Sequence, residues 1–503
     1  MKRFFIPLFS LCLLNASAQT ASLDLQFGTA GIALHHTTTT SELNNVAVDG
    51  QGNIFTAGYV FDAPGSSVYR LMVSKTLANG QLDQSFATNG KAEITVGASE
   101  FPLDIVIAPN GKILVGGSAY SGHTPNGPGD NRGFVVRLNS NGSLDQSFAQ
   151  SGIFYLQSPN THFANILLRT NGAILLCGNA VDQAFLLQIL DNGTPDTQFG
   201  NAGYLFLARP GFKFVLWNAI QNEDGSIVAV GNEATDTYDT KLAYCKINAQ
   251  GTYDLTFGNN GSMTTDSYSG QPYVIETLTQ IRKGQDGKYY MGGHNTSNVI
   301  LRVNGNGTPD ASYGSNGRVS HTYPYKDFVL QQNGKLIMIG AKEFTDYNYG
   351  WVITRLNADG AIDAGFANGQ SFNLDISAKN DYPQALQIAN GQNLFVVGSS
   401  YYNNVANATI CKLKIGNTLS VQEMNSAQNI SLYPNPVQET VTINAEDIIA
   451  GFDIVDISGR LVNQNNNLYA RTATIDCNFP AGSYVINLYF KSGAKHTQAL
   501  VKR

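Results

Sequence analysis

Charge is what this chain has least of. Asp, Glu, Lys and Arg make up 14% of its 503 residues, and the formal net charge is only −6. A nucleic-acid binder needs a basic face to displace the counterions of the phosphates, so that class is set aside. Long hydrophobic runs are missing as well. The stretch from Phe4 to Leu14 is too short to span a bilayer, and no later segment reaches the roughly 18 apolar residues a membrane helix requires. Recognised catalytic signatures are absent: there is no HExxH, no Walker loop and no G-x-S-x-G elbow. Beyond the first 18 residues the cysteines are Cys177, Cys245, Cys411 and Cys477, with no CxxC and no paired spacing, so they read as small buried hydrophobes rather than zinc ligands. No catalytic residue, metal ligand or cofactor is assigned from the sequence.

The first residues do carry a pattern. Lys2 and Arg3, the short apolar run and Ala16-Ser-Ala18 have the charge, length and small-residue ending of a secretory signal, which predicts a signal peptide over 1–18. His35-His36 reads as a surface pair on an outer strand rather than a metal site. His123, His162, His294 and His321 fall one per repeat in or near loops, without a signal that they converge.

A single stretch then organises most of the protein. It is clearest at Arg137-Leu-Asn-Ser-Asn-Gly-Ser-Leu-Asp-Gln-Ser-Phe-Ala-Gln-Ser-Gly152, whose core is an Asp followed three residues later by an aromatic. Asp24, Asp83, Asp145, Asp196, Asp254, Asp310 and Asp363 head seven copies, 51 to 62 residues apart. Such a period marks an array of supersecondary units. Between copies come three apolar segments, the first two joined by Asn-Gly or Asp-Gly dipeptides that signal hairpins; Asn110-Gly111 and Asn333-Gly334 are examples. The Asp-x-x-Phe segment with the apolar run behind it is expected to supply a fourth strand.

Four antiparallel strands in each of seven units predict an all-β protein, a seven-bladed β-propeller over 19–415. The chain begins with a lone fourth-strand segment (23–34) and ends with three strands (385–414), so the two ends should complete one blade and close the ring, leaving only short protected edges. Pairing across the Asn-Gly turn would set Arg137 opposite Asp145. The repeated aromatic would be a wedge between blades.

The run R-L-N-x-N-G-x-L-D-x-x-F-x-x-x-G resembles the delta-60 family of bacterial repeats. Ala87, Ala149 and Ala367 stand where that family has glycine, and Gln188 stands where it has a basic residue, which puts uniform blade geometry in question. The resemblance implies no catalytic residue.

A polar stretch, 416–429, reads as a linker. From 430 to 503 the pattern changes to alternating strands punctuated by Gly, Pro and Asn, predicting a small Ig-like β-sandwich. Tyr433-Pro434-Asn435-Pro436, Asp456 with Gly459-Arg460, Gly482 with Tyr484, and the terminal Lys502-Arg503 appear in the order of the type A C-terminal sorting domain of the type IX secretion system, which this region resembles throughout. That resemblance implies handling by the type IX machinery, export across the outer membrane, removal of the domain and attachment through lipopolysaccharide, hence a secreted or cell-surface location.

Function is sought where the repeats differ. Connections between second and third strands vary in length and carry Tyr120, Tyr238, Tyr347, Tyr349, Tyr401 and Tyr402 among Asn and Asp. Tyrosines with small polar neighbours suit glycan or protein recognition on a rigid scaffold; the same residues also make an ordinary soluble loop. The leading expectation is a binding or adhesion module. The alternative is a polysaccharide lyase or hydrolase on the same face, with Asp236, Asp239 and Glu343 as candidate carboxylates. A passive envelope component is the third reading.

Overall fold

The computed structural model describes residues 21–503 apart from 36, 123–128, 157, 181–182, 208–212, 235–239, 265–276, 295–297, 322, 346–347, 378, 404, 416–429, 457–459, 466–467 and 492–494. The expected signal peptide and linker therefore lie outside the described residues. The chain separates into two compact units, 1–416 and 417–503.

In the first unit, six four-stranded antiparallel sheets span 41–94, 99–155, 161–207, 213–264, 277–321 and 325–374. A seventh combines Asp381–Ala389, Asn393–Tyr402 and Val405–Lys414 with two N-terminal pieces, Ser22–Leu23 and Ile32–His35, both paired to Val405–Lys414. The fourth strand of this closing blade is thus broken in two, where one segment was expected. Asp24 reinforces the seam by pairing with Lys412 at 3.0 Å and Lys414 at 3.1 Å.

Hydrophobic clusters show why the sheets stand side by side. Each of seven clusters joins one blade to the next, for example Phe86 and Phe55 with Ile105 and Phe134, and Phe148 with Phe163 and Phe185. The cluster holding Phe27, Leu43, Ile54, Phe395 and Ile410 joins the closing blade to the first. The ring is closed by packing as well as by strand pairing.

The repeated motif proves to be a tight turn, which corrects part of the sequence reading. The strand ladder continues past the Asn-Gly hairpin by one bridge, Leu138 to Leu144. The Asp145 N–H then donates to the Arg137 carbonyl at 2.9 Å, and Asp145-Gln-Ser-Phe148 curls away. Only the run behind it, Ile153–Tyr155, forms the fourth strand. Asp145 holds this turn: its carboxylate accepts from the Ser147 N–H and takes Arg137 at 2.8 Å and Lys112 at 3.0 Å. The Arg137 guanidinium in turn lies 4.5 Å above the Phe148 ring. Arg302 with Asp310 and Arg355 with Asp363 repeat the arrangement. Where Gln188 replaces the basic residue, its amide donates to Asp196 at 2.6 Å and accepts from Arg169 at 2.6 Å, so the charge arrives through a relay.

At Gly28, Ala87, Ala149, Gly258 and Gly314 the residue after the aromatic donates its N–H to the hairpin of the next blade, as Ala87 does to Asn141 and Gly258 to Asn306. It sits at positive φ in every blade, 45° at Ala87 and Ala149, 46° at Ala367, and 51–57° at the glycines. The alanine departures keep this conformation and place local strain at three positions; after Ala367 alone the turn tightens into a 3-10 helix, Ala367–Gly369.

In the second unit, the 17-residue strand Thr440–Asp456 is shared. Its first half pairs with Ser431–Tyr433 and Ala470–Asp476, its second with Leu461–Asn465 and Gly482–Phe490, and Lys495–Lys502 completes the order. Val441, Ile443, Ile454, Ile486 and Leu488 fill the core between. The motif residues hold this β-sandwich together. Asn435 donates to the Ala499 carbonyl at 2.8 Å and accepts from the Val501 N–H at 2.9 Å, clamping the last strand. Asp456 accepts from Arg460, the Tyr484 hydroxyl donates to the Pro480 carbonyl, Lys502 pairs with Gly482, and the Arg503 N–H reaches the Val437 carbonyl. Tyr433 is left half exposed, Pro434 and Pro436 flank the clamp, and Gly459 lies outside the described residues.

Candidate functional site: an aromatic crescent at the channel mouth

Every first strand carries a β-bulge at the same level, between Leu43 and Asn45, Pro102 and Asp104, Phe163 and Asn165, Leu216 and Asn218, Leu278 and Gln280, Tyr325 and Asp327, and Pro383 and Ala385. A bulge turns side chains that alternation would send sideways toward the axis. Here seven bulges line a central channel of about 430 Å³.

Just before the bulge, the blades differ most. Glu42 stands there in the first blade, Phe101 in the second, His162 in the third and Tyr382 in the closing blade. Around Glu42 these build a crescent of rings. Tyr349 of the sixth blade stacks on Tyr382 at 6.2 Å, Tyr382 meets Tyr401 edge-on at 6.3 Å, and Tyr59 lies 5.9 Å from Phe101. Phe61 and Tyr69 support Tyr59 from behind, at 6.0 and 5.1 Å. Asn380 ties the sixth and closing blades, its side chain accepting from the Tyr349 N–H and its carbonyl from the Tyr401 N–H.

Tyr59 hydrogen-bonds Glu42, the carboxyl around which the rings are arranged. Burial pushes Glu42 above the usual carboxylate range, with the Tyr59 bond pulling the other way. Burial and then the Glu42 charge hold the Tyr59 phenol well above its ordinary value. Phe101 and Tyr349 are the most open, at 40% and 36% exposure. The result is a set of apolar faces around one hydrogen-bonding carboxyl.

Among the tyrosines expected to bind, Tyr349 and Tyr401 enter the crescent. Tyr402 does not: its hydroxyl donates to the Ile376 carbonyl at 2.8 Å, because successive strand residues point to opposite faces. Tyr120 ends its strand opposite Asn131 and Ser99. Tyr238 and Tyr347 lie outside the described residues, as do Asp236 and Asp239; Glu343 is exposed, across the ladder from Tyr349. Tyr382, Tyr59, Phe101 and Glu42 were missed because they belong to strands rather than to variable loops. For Tyr382, Phe101 and Glu42 the signal was present in the repeat itself, at the position just before each bulge, and Tyr59 lies across the ladder from Glu42.

His35 is buried, with its ring at 3.2 Å from the Thr76 hydroxyl, so the expected surface pair is corrected for this member; His36 lies outside the described residues. Among the described residues no three His, Cys, Asp or Glu side chains group as metal ligands, and no helix is long and apolar enough to cross a membrane.

Comparison with known proteins agrees with this architecture. Residues 108–148, 284–313 and 331–366 match the family described as "Domain of unknown function (DUF5122) beta-propeller", and residues 431–503 match the "Secretion system C-terminal sorting domain". The chain is thus a propeller repeat protein with a sorting tail, handled by the type IX machinery and exported to the cell surface or extracellular space. No curated protein matches it. Similar solved structures include a protein of unknown function from Dyadobacter fermentans (11% identity, 77% of this chain and 98% of that one, TM-score 0.41). A puromycin hydrolase is similar at 13% identity over 92% of this chain and 60% of that one, TM-score 0.42. The α-L-arabinofuranosidase Arb93A of Fusarium graminearum is similar at 9% identity over 77% and 98%, TM-score 0.37.

Proposed function

We propose that the propeller is a carbohydrate-binding module delivered to the cell surface by its sorting tail. The observation that carries this is the crescent of Tyr349, Tyr382, Tyr401, Tyr59 and Phe101 around Glu42. Rings held by strand pairing present apolar faces to sugar C–H groups at little conformational cost, and the carboxyl accepts from hydroxyls. Glu42 inside the arc and Glu343, across the ladder from Tyr349, both bring negative charge to this face, so neutral glycans fit better than acidic ones. The test is a glycan array probed with the full chain and with its Tyr349→Ala/Tyr382→Ala/Tyr401→Ala variant. Binding of neutral glycans by the first and its loss in the second, at unchanged melting temperature, supports the module; silence of the wild type removes it.

A second reading, glycosidic-bond cleavage, draws on the raised pKa of Glu42, which suits a general acid. It requires a second carboxylate about 5–10 Å away. Release of reducing ends by the wild type, abolished in Glu42→Gln, would favour the enzyme over the module. For the tail, the resemblance to type A sorting domains supports removal after export and lipopolysaccharide attachment. A secreted form lighter than the full chain by the mass of 1–18 and 430–503, retained on the outer membrane, is the expected product.

A further inference from the structure

Below the crescent, the channel holds polar atoms that the protein does not satisfy. Asn165 Oδ1, Trp217 Nε1 and Thr279 Oγ1 are buried and have no hydrogen-bond partner, and all three residues line the central channel. They come from three successive blades at the bulge level, so they share one side of the channel wall. Leaving such groups unpaired is costly, which makes the site a place where a ligand or water belongs.

The neighbouring charges decide which ligand. Asp104 is fully engaged: Oδ1 accepts from the Ile105 N–H and Asn45, Oδ2 from the Ile166 N–H and Asn165. Asp327 accepts from the Phe328 and Leu386 N–H groups and from Arg282 at 3.0 Å. A cation would have to compete with these donors, and it would face the N–H of Trp217. An anion would face two carboxylates, and the guanidinium in the lining, Arg282, is already paired with Asp327. What remains unmet is one donor (Trp217), one acceptor (Asn165) and one group able to do either (Thr279). A neutral molecule bearing hydroxyls satisfies all three, since each hydroxyl both donates and accepts.

Position links this site to the crescent. Glu42, Phe101 and Tyr382 precede Asn44, Leu103 and Gln384 by two residues on the same strands, so the channel belt lies about 7 Å deeper at 3.3 Å per residue. Contact also spans the two levels, with the His162 ring 5.8 Å from the Trp217 ring. The channel volume of about 430 Å³ falls in the usual range of small-molecule sites, roughly 300–1,000 Å³.

We infer that the channel is a terminal subsite, in which the last unit of a neutral glycan inserts between Asn165, Trp217 and Thr279 while the preceding units lie along the crescent. The inference deepens the carbohydrate reading and makes the protein a chain-end binder.

The chain has two tryptophans, and Trp351 is wholly buried among other residues, so it serves as an internal reference. The full chain, labelled with 5-fluorotryptophan, would be titrated by ¹⁹F NMR with glucose, galactose, mannose and N-acetylglucosamine. The expected result is a saturable shift of the Trp217 resonance with at least one sugar while Trp351 stays fixed. Capping that sugar as its O-methyl ethers should abolish the shift. Asn165→Ala, read by the same resonance, should weaken binding about three- to tenfold, the effect of one hydrogen bond. The Tyr349→Ala/Tyr382→Ala/Tyr401→Ala variant should keep the monosaccharide shift and lose only oligomer affinity. A Trp217 signal that none of the sugars moves shows a channel holding water alone and overturns the subsite, even where the array establishes glycan binding at the crescent. A shift unaffected by Asn165→Ala overturns it equally.

Discussion

Removing one aromatic wedge tests how the wheel is held together. Phe148 is fully buried in the core shared by the second and third blades, against Phe163, Ile166 and Phe185. Phe148→Ala removes that ring and leaves a void that rigid sheets on both sides cannot close, at about 3–5 kcal/mol. Loss of the Arg137 stack, 4.5 Å from the ring, adds about 1 kcal/mol. A unit of about 400 residues unfolds with an entropy of about 0.8 kcal/mol/K, so the melting temperature should fall by about 5–7 °C. Scanning calorimetry of the secreted chain would measure this, with Phe148→Leu giving a smaller drop. A fall below about 1 °C would refute the wedge, because it would mean that the blade interface does not depend on the ring that fills it.

Ala149→Gly should be neutral or raise stability by up to about 1 kcal/mol, since it relieves a positive-φ alanine, and urea denaturation would detect a loss if the turn needed the methyl group. Acid should unfold the propeller early. Hydrogen bonds from Lys75 and Ser85 bring Asp83 down to about 2, and Asp145 and Asp310 are lowered despite burial by their Ser, Lys and Arg partners. Their stabilisation is complete above the ordinary Asp value near 4 and lost as pH falls through the folded values, so the melting temperature should drop steeply between about pH 4 and 2. Asp104 acts in the opposite sense, raised by burial to about 6, so its share is lost as pH rises from about 4 to 6. Cys177, Cys245, Cys411 and Cys477 are free and buried, with the Cys245 thiol pushed up to about 12; a thiol reagent should label none of the four until denaturant is added, and labelling of the native protein would contradict their burial.

The wheel was legible because its repeated residues do repeated work. An Asp at each turn, an aromatic three residues on and a cation eight residues before fix the ladder across the Asn-Gly hairpin, and the pairing of Arg137 with Asp145 follows from counting. What counting could not supply was conformation at the motif. The Asp-x-x-Phe segment has the apolar spacing of a strand, yet its Asp captures the N–H two residues ahead and bends the chain. The site was half legible. Tyr349 and Tyr401 were found because variable loops attract attention, whereas Tyr382 and Glu42 are ordinary strand residues until seven bulges swing their neighbours toward one axis. Tyr402 shows the converse, since one step along a strand carries the side chain to the other face.

Isothermal titration of the full chain with a length series of one neutral oligosaccharide tests the central claim most directly. Affinity should rise with each added unit until the crescent is covered and then level off, and the Tyr349→Ala/Tyr382→Ala/Tyr401→Ala variant should lose the gain while melting at the wild-type temperature. Affinity independent of length, or a length series unchanged by removing the three rings, would contradict it.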